Sequence, residues 1–320
     1  MSPHALAWTA GSLGALAVGT FAWGLAEARA YTVRERTVPV LEPGSEPIRV
    51  LHVSDFHVTP TQAGKLAWIR SLARWEPDLV VATGDFLSHA EAVDPLLEAM
   101  APLLKLPGVF VRGSNDYFAP RPLNPFTYFG GPSRLREERT ALPTDALTAG
   151  LGAHGWLDLD NARGVLTVAG REVTFVGLDD PHIGRDRMPA PDPHRGQLHV
   201  GVTHAPYARA LGALKDDGAQ VLLAGHTHGG QVCVPWYGAL VTNCDLDTGR
   251  VKGVSGWPGA RPDARGGVGA GGAGAGAAGA GAGGESVWLH VCAGAGTSPY
   301  VPLRFACRPE AVLLTLTPRA

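Results

Sequence analysis

Short apolar runs alternate with amphipathic stretches along most of this chain. Ile48 to Ser54 predicts a strand, and Gly64 to Trp75, with apolar positions at helical spacing, predicts a helix. A strand over Asp78 to Thr83, a helix over Glu91 to Leu104 and a strand over Gly108 to Gly113 follow. Such alternation predicts βαβ units in a largely parallel sheet. Past Asp116 the pattern loosens, and Ala119 to Arg139, rich in Pro, Gly, Arg and aromatic residues, predicts a long loop. A short helix over Asp145 to His154 comes next, then strands over Trp156 to Asn161, Val165 to Val168 and Val173 to Leu178. Leu198 to Thr203, a helix from Pro206 to Lys215 and Gln220 to Ala224 form another βαβ unit. Val287 to Cys292 and Ala311 to Leu316 close the chain as strands. Two sheets with helices outside them are the natural assembly.

Both ends of the hydropathy scale add to this picture. No Asp, Glu, Lys or Arg occurs before Glu27, and Ala5 to Leu25 is dominated by apolar residues. About 20 such residues cross a bilayer as a helix, so residues 1–30 predict a membrane anchor, with a cleaved signal peptide or a buried helix as rivals. Arg29, Arg34 and Arg36 follow the segment, and the positive-inside rule would put the main domain on the cytoplasmic side. Residues 31–47, with three prolines, read as a connecting strand or linker, and 48–318 as the main domain. Gly266 to Gly284 is almost wholly Gly and Ala, too poor in apolar surface to offset its ordering entropy, and predicts a flexible insertion.

Composition narrows the function. A formal net charge of −2 in 320 residues argues against a nucleic-acid-binding field. The four cysteines, Cys233, Cys244, Cys292 and Cys307, have no metal-knuckle spacing and read as free thiols, with a Cys292–Cys307 bridge as the alternative.

The informative chemistry is a series of Asp- and His-rich clusters, most of them following an apolar, β-branched run. They are Asp55-Phe56-His57, Gly84-Asp85, Asn115-Asp116, Asp179-Asp180, His204 and Gly225-His226-Thr227-His228. Residues just past the carboxyl ends of strands converge on one crevice in open α/β sheets. If its strand persists, Asp55-x-His57 points both side chains to one side, where they can chelate one ion. His226-x-His228 has the same spacing, and Asp85 can bridge two ions. Each cluster alone is an ordinary surface or core pair; the ordered set is not.

That set resembles the calcineurin-like metallophosphoesterase superfamily, whose pattern is D-x-H, G-D, G-N-H-D/E, a lone H, then G-H-x-H. Val202-Thr203-His204-Ala205-Pro206, the segment Gly225 to Gln231, and Gly294 to Ser298 before Pro302-Leu303-Arg304 are similar to the membrane-associated YkuE/YaeI-like branch. The resemblance implies a four-layer αββα sandwich and a dinuclear metal centre. Carried over residue by residue, Asp55, His57, Asp85 and His228 would hold one ion. Asp85, His204, His226 and the third motif's amide would hold the other. The ions expected are Mn, Zn or Fe, since imidazole-rich sites discriminate against Mg²⁺ and Ca²⁺.

The third motif departs from the pattern. Gly113-Ser114-Asn115-Asp116 stands where the family has G-N-H-D. An amide carbonyl is the better ligand for a hard ion than a serine hydroxyl, so Asn115 is the candidate and the usual outer-shell histidine is missing. Asp116 is a catalytic candidate by position, and His182 or His89 is a candidate substitute acid. Arg112, Arg121, Arg134, Arg136 and Arg139 are candidates to hold phosphate oxygens, and Tyr117, Phe118, Phe126, Tyr128 and Phe129 to form an apolar lip. His52, alternating away from Asp55, reads as structural. The expectation is a monomeric phosphohydrolase, tethered to the membrane by its N-terminal helix. It would cleave a phosphodiester or pyrophosphate in a membrane-proximal or lipid-linked small molecule by means of a metal-bridging hydroxide. The rival is a catalytically weak metal-binding membrane scaffold.

Overall fold

The structure is a computed structural model that describes residues 3–120, 139–262, 285–298 and 301–319. Along the N-terminal helix the side chains are described at residue 12 and from residue 14. In chain order the elements are α1 (Pro3–Glu27), β1 (Thr32–Leu41), β2 (Ile48–Val53), α2 (Ala63–Ser71), β3 (Leu79–Ala82), α3 (Val93–Met100) and β4 (Gly108–Phe110). They continue with α4 (Ser114–Tyr117), α5 (Thr144–Gly152), β5 (Leu157–Asp158), β6 (Arg163–Val168), β7 (Arg171–Leu178), β8 (Leu198–Thr203) and α6 (Ala208–Asp216). The last are β9 (Val221–Ala224), β10 (Cys233–Val234), β11 (Gly238–Ala239), β12 (Gly253–Trp257), β13 (Val287–Val291) and β14 (Glu310–Pro318).

Ten-residue β1 and the closing strand β14 pair in parallel at the edge of a six-stranded sheet ordered β1-β14-β2-β3-β4-β5. The second six-stranded sheet is ordered β12-β13-β9-β8-β7-β6. Both sheets are mixed: the central pairs β2–β3–β4 and β7–β8–β9 are parallel, while β14 and β12 run antiparallel to a neighbour. Apolar side chains of both sheets meet in one core, with Ile48, Val50 and Val81 against Phe175, Val200 and Leu223. A separate cluster lies under α2, α3 and α5 on the outer face of the first sheet. Another lies under α6 on the second. The order of layers is therefore helix, sheet, sheet, helix.

Two expectations change here. The stretch 31–47 is not merely a connector: Thr32–Leu41 is an edge strand, because its alternating Val38, Val40 and Leu41 bury against the inter-sheet core. The predicted transmembrane span is not supported, since among the described residues no helix is long and apolar enough to cross a membrane. The last turn of α1 instead belongs to the domain: the Gly24 carbonyl accepts from Arg304 N at 3.0 Å, and the buried Glu27 carboxylate accepts from Cys307 N at 2.7 Å. The Gly/Ala-rich stretch and Arg121, Arg134, Arg136, Phe126, Tyr128 and Phe129 lie outside the described residues.

Candidate metal centre

Every cluster lies just past a strand end. β2 and β3 run parallel with Val53 opposite Ala82, so Asp55 and Asp85 emerge side by side. β7, β8 and β9 do the same for Asp179-Asp180, His204 and His226. The strand after Val53 does not persist, so the alternation expected to aim Asp55 and His57 is absent. Asp55, His57, Asp85, His226 and His228 all have positive φ, between 45° and 68°. Non-glycine residues rarely adopt this region, and such strain survives where surrounding structure over-determines it. Left-handed turns, not strand periodicity, bring these side chains together. Glycines make room for them: a Cβ on Gly225 would come within 1.8 Å of Ser54 Oγ, and one on Gly84, itself at φ 85°, within 2.5 Å of Gly113 N.

Two groups of ligand atoms result, each within 4.8 Å of one another: Asp55, His57 and His228, and Asp55, Asp85 and His204. Asp85 Oδ2 is 3.4 Å from His57 Nε2 and 3.5 Å from His204 Nε2. His228 Nε2 is 3.7 Å from Asp55 Oδ1 and 3.2 Å from His57 Nε2. Asn115 sits on the Asp85 carboxylate, its side-chain Nδ2 donating to Oδ2 at 2.8 Å and its backbone N to Oδ1 at 2.8 Å. His226 lies edge-on to His204, ring centroids 5.2 Å apart, with Nε2 3.2 Å from the Asn243 carbonyl. Asn115 is half-buried, and the Asp and His candidates around it are buried.

Burial sets the electrostatics. It pushes Asp55 up to about 6 and His57 down to about 4, and holds His226 and His228 well below the usual imidazole range. Asp85 is desolvated too, but the charges of His204 and His57 outweigh that and hold it well below the carboxylate range. His204 is the mirror case: burial is outweighed by Asp85 and Asp180, which raise it well above the imidazole range. Neutral His57, His226 and His228 and an ionised Asp85 are in the protonation states that metal ligands need, whereas His204 would give up its proton to an ion. The buried His204 Nε2 also makes no hydrogen bond, an arrangement that is costly in a protein interior unless a partner is supplied. This donor set of nitrogen and carboxylate oxygen fits divalent ions.

Other expectations fall differently. Asp116 has no room for contact with a substrate. Its Oδ2 accepts from Asp85 N and Gly113 N at 2.8 and 3.0 Å, and its Oδ1 from Phe86 N and Leu87 N at 2.7 and 3.1 Å. It is a positioning residue for the Gly84–Leu87 turn. His182 does reach the site: its ring centroid is 4.6 Å from that of His226, and Nδ1 is 3.1 Å from Tyr207 Oη. His89 is exposed and serves as a helix cap, accepting from Glu91 N at 3.1 Å. Arg112 is taken up by Asp160 and Asp158, at 2.5 and 3.3 Å. Arg139 acts electrostatically on His182. His52 is buried, its two ring nitrogens 2.7 Å from His290 Nδ1 and 3.0 Å from Thr83 Oγ1. All four cysteines are free thiols.

Sequence reasoning missed several supports. Ser54 Oγ donates to Asp55 Oδ2 at 2.5 Å. Arg304, fully buried, donates to the carbonyls of Ala293, Gly294, Gly296 and His228, knitting the last loops under the metal ligands. Its adjacency to the apolar segment after Ser298 was the available signal.

A family model described as calcineurin-like phosphoesterase matches residues 48–230. The chain is 28% identical over 264 residues to the uncharacterized metallophosphoesterase YkuE of Bacillus subtilis (strain 168), covering 72% of this chain and 79% of YkuE. It is 27% identical over 228 residues to the uncharacterized protein YpbG of the same organism, covering 70% and 78%. Among solved structures, it resembles a phosphopantetheinyl hydrolase from Mycobacterium tuberculosis at a TM-score of 0.33 and 13% identity, covering 59% of this chain and 84% of that one.

Proposed function

We propose, on the premise that the chain belongs to the calcineurin-like phosphoesterase family, that it is a dinuclear enzyme cleaving phosphodiester or pyrophosphate bonds. The family makes it a metal-dependent phosphoester hydrolase. The observation that carries the dinuclear reading is the position of Asp85, one oxygen of which lies within 3.5 Å of His57, His204 and Asn115 together. One ion would be held by Asp55, His57, Asp85 and His228, the other by Asp85, Asn115, His204 and His226. Two such ions neutralise phosphoryl oxygens and make water a competent nucleophile at neutral pH. Mn²⁺, Zn²⁺ and Fe²⁺ suit these ligands.

The chain's own groups supply the rest. Asp116 and Ser54 fix the backbone and carboxylate of the ligands. Burial pushes His182 down to about 4, so it is neutral at pH 7. Its Nδ1 lies 3.1 Å from the Tyr207 hydroxyl, and in the tautomer protonated at Nε2 the ring would be a donor toward a phosphoryl or leaving oxygen. Position 115 is Asn where the family has His, so the stronger acid at the leaving group is absent. This favours substrates with good leaving groups, phosphoanhydrides before alkyl monoesters.

A membrane-side substrate is supported by apolar exposure. Leu16, Val18, Phe21 and Trp23 of α1 are exposed, as are Val234, Trp236, Tyr237 and Leu240 of the β10–β11 hairpin that follows His228. Both segments are anchored to residues 304–307: α1 through Gly24 and Glu27, the hairpin through Cys233 N donating to the Phe305 carbonyl. Trp and Tyr are favoured at the bilayer interface, so these side chains would set the metal centre beside lipid-linked phosphates. The altered third motif favours one rival, a metal-binding scaffold with little catalysis. Purified protein with Mn²⁺ and bis-p-nitrophenyl phosphate separates the two. Turnover abolished by Asp85→Ala or His226→Ala supports the enzyme, and absence of turnover with every divalent ion supports the scaffold.

A further inference from the structure

Asp180 ends the strand-end cluster Asp179-Asp180, and its surroundings are unusual. β7 and β8 are parallel neighbours with Leu178 opposite Thr203, so Asp179 and Asp180 leave the sheet beside His204. Asp179 is fully engaged. Its Oδ1 accepts from Tyr117 Oη at 2.9 Å and from Asp180 N at 2.7 Å, and its Oδ2 from Arg185 Nε at 2.9 Å. Tyr117 ends α4, the helix that carries Asn115. The Asp179–Tyr117 bond therefore staples the end of β7 to the third motif.

Asp180 is completely buried. One oxygen, Oδ1, accepts from His182 N at 2.8 Å. The other, Oδ2, is buried without a hydrogen-bond partner, as is His204 Nε2. His204 and Asp85 are the charges that act most strongly on its carboxyl. A buried carboxylate oxygen and a buried imidazole nitrogen, both unsatisfied and at neighbouring strand ends, are each costly alone. A cation on the His204 side would supply a partner to each.

We infer that Asp180 is a further metal-site carboxylate, supplying its free oxygen to the ion on the His204 side; this rests on the dinuclear reading above. The assignment gives the second position two carboxylates, Asp85 and Asp180, and so a harder donor set than the first. It orders the ions as well: the second position should favour Mn²⁺ or Fe²⁺ relative to Zn²⁺ more strongly than the first. It also gives the Asp179-Asp180-Pro181-His182 turn a single logic. Asp179 fixes the turn, Asp180 serves the ion, and Oδ1 of Asp180 orients His182 against His226.

The test is Mn²⁺ binding to the full chain, followed by calorimetry and by electron paramagnetic resonance, whose spin-coupled signal reports paired ions. Asp180→Asn keeps the acceptor for His182 N and removes the charge; Asp180→Glu keeps the charge. The wild type should bind two ions per chain. Asp180→Asn should bind the first with unchanged affinity and the second at least about tenfold more weakly, losing the coupled signal, while Asp180→Glu recovers part of it. Equal, wild-type affinity at both positions in Asp180→Asn overturns the assignment. So does loss of both ions together, which would mark Asp180 as a folding residue. A wild type that binds fewer than two ions removes the dinuclear reading itself, a result separable from failure at Asp180 alone.

Discussion

Replacing Asp116 with asparagine should uncouple the metal centre from its support without touching a ligand. The carboxylate receives four backbone N–H groups, two on each oxygen, from Gly113 and from three successive residues of the turn that presents Asp85. Asparagine keeps one acceptor oxygen and turns an NH₂ toward two buried donors. A buried donor left unpaired costs about 1–3 kcal/mol, so two cost roughly 4 kcal/mol. At about 2–4 °C of melting midpoint per kcal/mol for a domain of this order of size, the midpoint should fall by about 10 °C. The slackened turn should also weaken ion binding by about 10- to 100-fold, the usual effect of losing a group that orients a ligand. Circular-dichroism melts with and without Mn²⁺, together with Mn²⁺ titration, measure both. Asp116→Asn melting within 2 °C of the wild type, with unaltered ion affinity, would show that the four hydrogen bonds neither stabilise the fold nor position Asp85 (~2 °C being within the effect of under 1 kcal/mol).

Other expectations follow from the same geometry. Asp85→Asn should abolish binding of paired ions and turnover of bis-p-nitrophenyl phosphate together, since one carboxylate is shared; retention of both ions would refute the bridge. Chelation with EDTA should abolish turnover and lower the melting midpoint, and added Mn²⁺ should restore both, the midpoint rising with ion concentration as linkage requires; a midpoint indifferent to the ion counts against a folded-state site. His89→Ala should leave turnover unchanged, because His89 caps a short helix away from the ligands, and a loss above tenfold would reinstate it as an acid. Burial pushes His290 down to about 3, below its value near 6.5 in the unfolded chain. Its contribution to stability is therefore present above pH 6.5 and lost as pH falls toward 3, the unfolded state taking up a proton that the folded state refuses. His290→Gln should flatten the stability-versus-pH curve by up to one proton in that window; an unchanged slope in denaturant titrations would exclude the buried neutral form.

Much of the sheet architecture was legible because hydrophobic alternation reports burial directly. Val53, Ala82, Thr203 and Ala224 end apolar runs and end strands, and each is followed by a cluster that the fold brings to one edge. What periodicity could not reach is the geometry beyond those ends. The spacing of Asp55 and His57 suggested a continuing strand, whereas both residues take left-handed backbone conformations that only long-range contacts enforce. Asp116 looked catalytic because it stands in a catalytic motif; its role depends on three N–H groups 29 to 31 positions away and one three away, partners that no local pattern displays. β1 was obscured by Pro39 and by the prolines that follow it; an edge strand tolerates a proline when the missing N–H faces away from the ladder. Asp180 is the hardest case, since its informative property is a bond it does not make. An unpaired oxygen in a folded interior has no signature in sequence. It becomes visible only after the neighbouring donors have been assigned: Tyr117 Oη, Asp180 N and Arg185 Nε go to Asp179, and His182 N goes to the other oxygen of Asp180. The residue left over points to what the site binds.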